Sequence, residues 1–91
     1  MPTLNDIINA GFVFQQNGNY DEAESTYKEA LSIDNENPEI YNLMGVLKLQ
    51  QNLADEAIEW IEKAISIKPQ EYFYETLFQA YIRQVFWILL L

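Results

Sequence analysis

The 91-residue chain is predicted to be all-α, about five helices stacked as repeats. Three observations lead there. One block is written twice: at an offset of 34 residues Gly11 falls on Gly45, Gln16 on Gln50, Asp21-Glu22-Ala23 on Asp55-Glu56-Ala57, Ala30 on Ala64, and Ser32-Ile33 on Ser66-Ile67. A period of that size marks units that cannot bury their apolar faces alone and must stack on neighbours. Apolar residues also recur at helical spacing between breakers, and no segment alternates with period two over a useful length.

The elements follow in order. Thr3-Leu4-Asn5-Asp6 reads as a capping box opening a helix that runs to about Asn17, with Ile7, Ala10, Gly11 and Phe14 along one face. Asn17-Gly18-Asn19 is a turn, and Asn19 is expected to cap the next helix, whose Asp21 and Glu22 suit its N-terminal dipole. Ala23, Tyr27, Ala30 and Leu31 give that helix one apolar stripe. Asn37 is the expected cap of a third helix, with Pro38 at its first position. This helix runs to about Gln51 and carries Ile40, Tyr41, Met44, Leu47 and Leu49. After a turn at Asn52, a fourth helix carries Ala57, Ile58, Ile61, Ala64 and Ile65 and ends at Lys68-Pro69. From Glu71 onward no breaker interrupts a fifth helix. Pairs Glu24–Lys28 and Glu59–Lys63 have the favourable i, i+4 order.

The doubled block resembles the tetratricopeptide repeat, whose pattern is W-x2-L-G-x2-Y, then A-x3-F, then P. The second copy reads Tyr41-x2-Met44-Gly45-x2-Lys48, then Ala57-x3-Ile61, then Pro69. The first reads Ile7-x2-Ala10-Gly11-x2-Phe14, then Ala23-x3-Tyr27, with Asn35 in place of proline. The resemblance implies antiparallel helix-turn-helix repeats stacked as a short right-handed α-solenoid. It divides a single domain, residues 1–91, into repeat one at 4–37, repeat two at 38–71 and a terminal helix at 72–91. It also implies a non-catalytic module for protein–protein interaction or assembly. Glycine inside a helix costs about 1 kcal/mol against alanine, which makes sense at Gly11 and Gly45 if another helix crosses closely there. Ala23, Ala57, Ala30 and Ala64 allow that approach from the other side, and Tyr27 and Ile61 fill the space between layers.

Composition narrows the function. A hydrophobic fraction of 49% argues against disorder. Fourteen acidic against five basic residues give a net charge of −9, which repels phosphate backbones, so no nucleic-acid partner is expected. The absence of cysteine removes disulfides, thiolate metal sites and thiol nucleophiles, and the absence of histidine removes the commonest general base. No phosphate-binding loop occurs either, so no catalytic, cofactor-binding or metal-binding residue is assigned and no cofactor is expected. The acidic pairs Asp21/Glu22 and Asp55/Glu56 suit helix starts better than metal or acid–base sites. Tyr20, Tyr41, Tyr72 and Trp60 read as packing residues. Met1-Pro2-Thr3-Leu4-Asn5-Asp6 has no charged n-region or long apolar run, so it does not read as a signal peptide, and a cytoplasmic location is expected.

The third unit departs from the pattern. Leu77 to Gln84 looks like another first helix in a register one residue shorter, which puts Phe78 where the small residue belongs. A phenylalanine at the close-crossing point is incompatible with a normal second helix, so this helix is expected to lack one within its own chain. Tyr74, Leu77, Phe78, Tyr81, Val85 and Ile88 are expected to form its inward stripe, leaving Phe73, Phe86, Trp87, Leu89, Leu90 and Leu91 on other faces. Such a surplus of apolar surface invites association. The leading reading is self-association, a dimer being favoured, through Phe78, Tyr81, Val85, Phe86, Trp87, Ile88 and Leu89. The alternatives are the cut edge of a longer repeat protein, contact with a partner or a membrane surface, and a tail folded back on its own chain. The run from Val85 to Leu91 is far below the roughly 20 residues that span a bilayer.

By the resemblance, the first helix of each repeat lines a concave face that receives a peptide. The matched positions are Asn5, Ile8, Phe12 and Gln15 from the first repeat and Asn42, Val46, Leu49 and Gln50 from the second, with Thr76 as an addition. This face is expected to be amide and aliphatic, almost without charge. Ile8, Phe12 and Leu43, at the positions of the family's carboxylate clamp, cannot hold a C-terminal carboxylate, so acidic chaperone tails are not expected as partners.

Overall fold

The computed structural model describes every residue from 1 to 91. Five helices follow one another: α1 (Leu4–Gln16), α2 (Tyr20–Ile33), α3 (Pro38–Gln50), α4 (Ala54–Ile67) and α5 (Glu71–Leu90), with no strand. α1 packs on α2 and α3 on α4. α3 then joins the pairs by lying against α2, and α5 docks chiefly on α4. The molecule is elongated, 48 Å along its major axis.

Local chemistry sets the helix starts. Thr3 Oγ1 accepts from the Asp6 N–H at 3.1 Å, and the Thr3 N–H donates to Asp6 Oδ2 at 2.9 Å, closing the capping box. At α3 the Glu39 N–H donates to Asn37 Oδ1 at 3.0 Å, with Pro38 at the first position. Asn19 differs from expectation: it occupies the N-cap position of α2, but its side chain makes no capping bond. Its ψ is 70°, outside the extended backbone that Thr3 (ψ 168°) and Asn37 (ψ 107°) adopt when their side chains cap. Leu53, its counterpart 34 residues on, has the same backbone with ψ of 67° and no side chain able to cap. Both helices start instead with an acidic pair in the first turn, Asp21/Glu22 and Asp55/Glu56. The turns repeat as well: Gly18 (φ 78°) and Asn52 (φ 63°) are the two residues in the left-handed region, and they too are 34 apart.

The glycines do what their cost implied. A methyl added at Gly11 would stand 2.6 Å from Cε1 of Tyr27, and one at Gly45 would meet the Ile61 side chain and lie 3.3 Å from the Ala57 carbonyl oxygen. Close crossing lets Tyr27 and Ile61 bury fully. The first core joins Ile7, Ala23, Tyr27 and Ala30 to Ile40, Met44 and Leu47 of α3. The second joins Leu49 to Ala57, Ile58 and Ile61 of α4 and Ala80 of α5. Each large side chain fully withdrawn from water stabilises by roughly 1.5–3 kcal/mol. Tyr20 and Trp60 pack on the first core, and the rings of Tyr41 and Trp60 lie 5.9 Å apart. Ala10 is exposed, contrary to expectation. Its counterpart Met44 is buried because α2 covers that side of α3, where Met44 joins Ala23, Tyr27 and Ala30 in the first core.

The expected inward stripe of α5 is the main correction. Of Tyr74, Leu77, Phe78, Tyr81, Val85 and Ile88, only Leu77 is half-buried and the others are exposed. Phe73, expected on another face, is fully buried, as is Ala80. Small Ala80 admits the close approach of α4, which the bulk of Tyr81 does not. The true inward stripe is Phe73, Leu77, Ala80 and Gln84. It matches Ile40, Met44 and Leu47 of α3 and its C-cap Gln51 at an offset of 33, so the register slips by one residue as expected. The tail is not folded back: α5 is helical to Leu90, and Val85 to Leu91 are all exposed.

Candidate functional site

With the register fixed, Phe78 occupies on α5 the place that Gly45 occupies on α3, where the second helix of a pair lies. No helix of this chain covers it, and Phe78 is 63% exposed. Around it a shallow groove of about 430 Å³ is lined wholly by Phe78, Tyr81, Ile82, Val85, Phe86 and Leu89. Phe86 is 60% and Leu89 78% exposed. From Thr76 to Leu91 the only charged side chain is Arg83, so the acidic excess lies entirely on the first four helices, their turns and the first turns of α5.

Five of the seven residues read as an association surface therefore share one face. Trp87 and Ile88 lie elsewhere, lining a depression of about 520 Å³ with Leu53, Ala54 and Asp55 at the start of α4. Ile82 also lines the apolar groove, although it belongs neither to the expected inward stripe nor to the expected surplus. Two side chains fix the half of α5 that bears the groove. Arg83 Nη1 donates to the Leu49 carbonyl at 3.2 Å and lies 3.4 Å from Asn52 Oδ1. Gln84 Nε2 donates to Asp55 Oδ1 at 2.8 Å.

The concave positions separate into two groups. Gln15 is buried: it accepts from the Tyr27 hydroxyl at 2.6 Å and donates to Gln50 Oε1 at 2.7 Å, linking α1, α2 and α3. Asn42 is buried with its Oδ1 unpaired, and Leu49 belongs to the second core. Asn5 and Phe12 are exposed, and Ile8 packs half-buried on the first core. Val46, Leu49, Gln50 and Thr76 do come together, in a groove of about 430 Å³ between α3 and α5. Tyr72, Glu75, Gln79 and Arg83 complete it. Three of these four were legible: Asn42, Val46 and Gln50 shifted by 33 residues give Glu75, Gln79 and Arg83. Glu75 and Arg83 also make this groove charged, contrary to expectation.

Lys48, buried on α3, donates to Glu24 Oε1 of α2, and Lys28 lies 3.1 Å from Glu24 Oε2. The hydrogen bond from Lys48 is the main cause holding the Glu24 carboxyl below its ordinary range, against the opposing effect of burial. Burial raises Glu39 and pushes the Tyr27 phenol up to about 12. The expected Glu59–Lys63 pair does not form: Lys63 Nζ sits 5.8 Å from the centre of the Tyr41 ring instead. The pull of that ring face replaces a contact worth only tenths of a kcal/mol.

Paired antiparallel helices, a doubled turn and surface grooves define a helical-repeat scaffold. A family profile described as tetratricopeptide repeat matches residues 14–82, well over half of the chain, and the chain belongs to that family. As such it is a protein–protein interaction module, of a kind that is typically non-catalytic. Comparison with curated proteins gives no match. No helix is long and apolar enough to cross a membrane.

Proposed function

We propose that residues 1–91 act as one non-catalytic assembly domain that self-associates through the exposed apolar face of α5. The observation behind this reading is the groove around Phe78. Six apolar side chains stand in water on the face where every other pair in the stack has a covering helix. Clustered exposure of this kind favours association, and a two-fold dimer is its commonest form.

Light scattering over a concentration series tests it. The full chain is expected to be dimeric, and Phe78→Glu with Phe86→Glu is expected to be monomeric with unchanged helix content, since both side chains are exposed. A full chain that stays monomeric at high concentration overturns the proposal. Exposure of Trp87, Leu90 and Leu91 beyond the groove favours one other reading, a membrane-peripheral adaptor. Sedimentation of the monomer with vesicles, lost when the chain is cut after Gln84, would select it.

A further inference from the structure

Resting on the self-association reading, we infer its geometry: two copies pair through α5 antiparallel, about a two-fold axis passing between Arg83 and Gln84. Phe78 then packs on Leu89 of the second copy, Tyr81 on Phe86, and Ile82 on Val85.

The residues of the groove carry this. Turned end for end about the midpoint between Arg83 and Gln84, the set Phe78, Tyr81, Ile82, Val85, Phe86 and Leu89 maps onto itself. Self-complementarity of that kind is what a two-fold contact demands, each residue i meeting j while j meets i. Within the set, Phe78, Ile82, Val85 and Leu89 are spaced by four, three and four, the seam along which two helices interlock side chains. The occupant is thus a helix with the same alternation, and α5 is the helix of this chain that presents it to solvent.

The geometry at Phe78 also distinguishes a second copy from a helix of the family's ordinary kind. Tyr27 and Ile61 reach the backbone of Gly11 and Gly45, where not even a methyl fits. Phe78 fills the equivalent space. A covering helix must stand farther off and meet large side chains with large side chains, which a second α5 does.

Charge selects the direction. All 14 acidic residues lie between Asp6 and Glu75, and none lies on the groove-bearing half of α5. A parallel pair sets these two acidic bodies side by side, whereas an antiparallel pair places them at opposite ends of the joined helices. Like charges at short range oppose the first arrangement. From the exposures, the groove residues offer on the order of 600 Å² per copy, close to the ~800 Å² per partner of a standard interface.

The chain has no cysteine, so introduced thiols report cleanly. Phe78→Cys and Leu89→Cys chains are prepared separately, checked for dimerisation by light scattering under reduction, then oxidised alone and as a mixture. The expected result is a disulfide-linked heterodimer in the mixture and little covalent dimer from either variant alone. In the antiparallel pair two copies of position 78 lie about 16 Å apart along the axis, beyond the reach of a disulfide. Tyr81→Cys mixed with Phe86→Cys repeats the test if either first variant loses dimerisation. A covalent homodimer of Phe78→Cys alone overturns the antiparallel geometry in favour of a parallel one. A dimer by scattering that forms neither mixed disulfide also overturns it, while leaving self-association intact. A monomeric unmodified chain, with or without binding to phosphatidylcholine vesicles, overturns both.

Discussion

The hydroxyl of Tyr27 donates to Oε1 of Gln15 at 2.6 Å within the first core, and Gln15 in turn donates to Gln50 at 2.7 Å. One phenol therefore links helices from both repeats. Burial raises it to about 12, so ionisation is opposed by the fold. An unfolded tyrosine ionises near ~10. The sign follows: the contribution of this group is complete below about pH 10 and is lost as pH rises from there through about 12. Denaturant midpoints measured across this range are expected to fall more steeply for the native chain than for Tyr27→Phe. At neutral pH Tyr27→Phe is itself expected to be less stable by roughly 1–3 kcal/mol, because Gln15 loses its donor.

Gly45→Ala tests the close crossing. Alanine improves helix propensity by about 1 kcal/mol, but its methyl meets Ile61 and stands 3.3 Å from the Ala57 carbonyl. Overpacking of this kind costs about 1–3 kcal/mol. Net destabilisation is expected, with a melting temperature lower by several degrees, since ~1 kcal/mol shifts a domain of this size by about 4–8 °C. Gly11→Ala, against the Tyr27 ring, is expected to behave alike. A rise in melting temperature for either would show that propensity outweighs packing there.

Glu24→Gln removes the charge that matches buried Lys48. The expected loss is roughly 1.5–3 kcal/mol, the range for hydrogen bonds to charged groups. Because Lys48 holds the Glu24 pKa low, this contribution is present above the ordinary carboxylate value of 4.5 and is lost as pH falls through the lowered one. Acid melting curves of the native chain are expected to decline through this window, and those of Glu24→Gln to decline less.

Gly18→Ala isolates backbone strain from packing. A methyl at Gly18 has nothing within 4 Å, yet φ there is 78°. The expected cost is about 1–2 kcal/mol, that of placing an L-residue in the left-handed region. Urea midpoints measure it, and Gly18→Asn, the residue type that Asn52 supplies at the second turn, is expected to recover part of the loss.

Much of the architecture was legible because its causes are local. Thr3 and Asn37 cap with their own side chains, and Gly11 and Gly45 pay for helix propensity with visible room for Tyr27 and Ile61. The inward face of α5 was not legible, because two apolar stripes run along it and spacing cannot choose between them. Ala80 chooses, by fitting α4, and that is a property of the partner surface. Gln15 looked like a binding amide until the fold set it between Tyr27 and Gln50, residues 12 and 35 positions away. The missed groove residues Glu75, Gln79 and Arg83 followed from the one-residue slip already seen at Phe78, had that slip been applied to the concave face.

The left-handed residues Gly18 and Asn52 occupy equivalent places, so the block between them begins and ends on the same backbone conformation. A further copy of that block, inserted after Gln51, would leave one such turn and arrive at another, with α5 docked on the last copy just as it now docks on α4. Stability in stacked repeats grows by unit and by neighbour contact. The length of the scaffold and the exposed apolar face of α5 are accordingly separate variables: the reach of the module can be extended without altering that face.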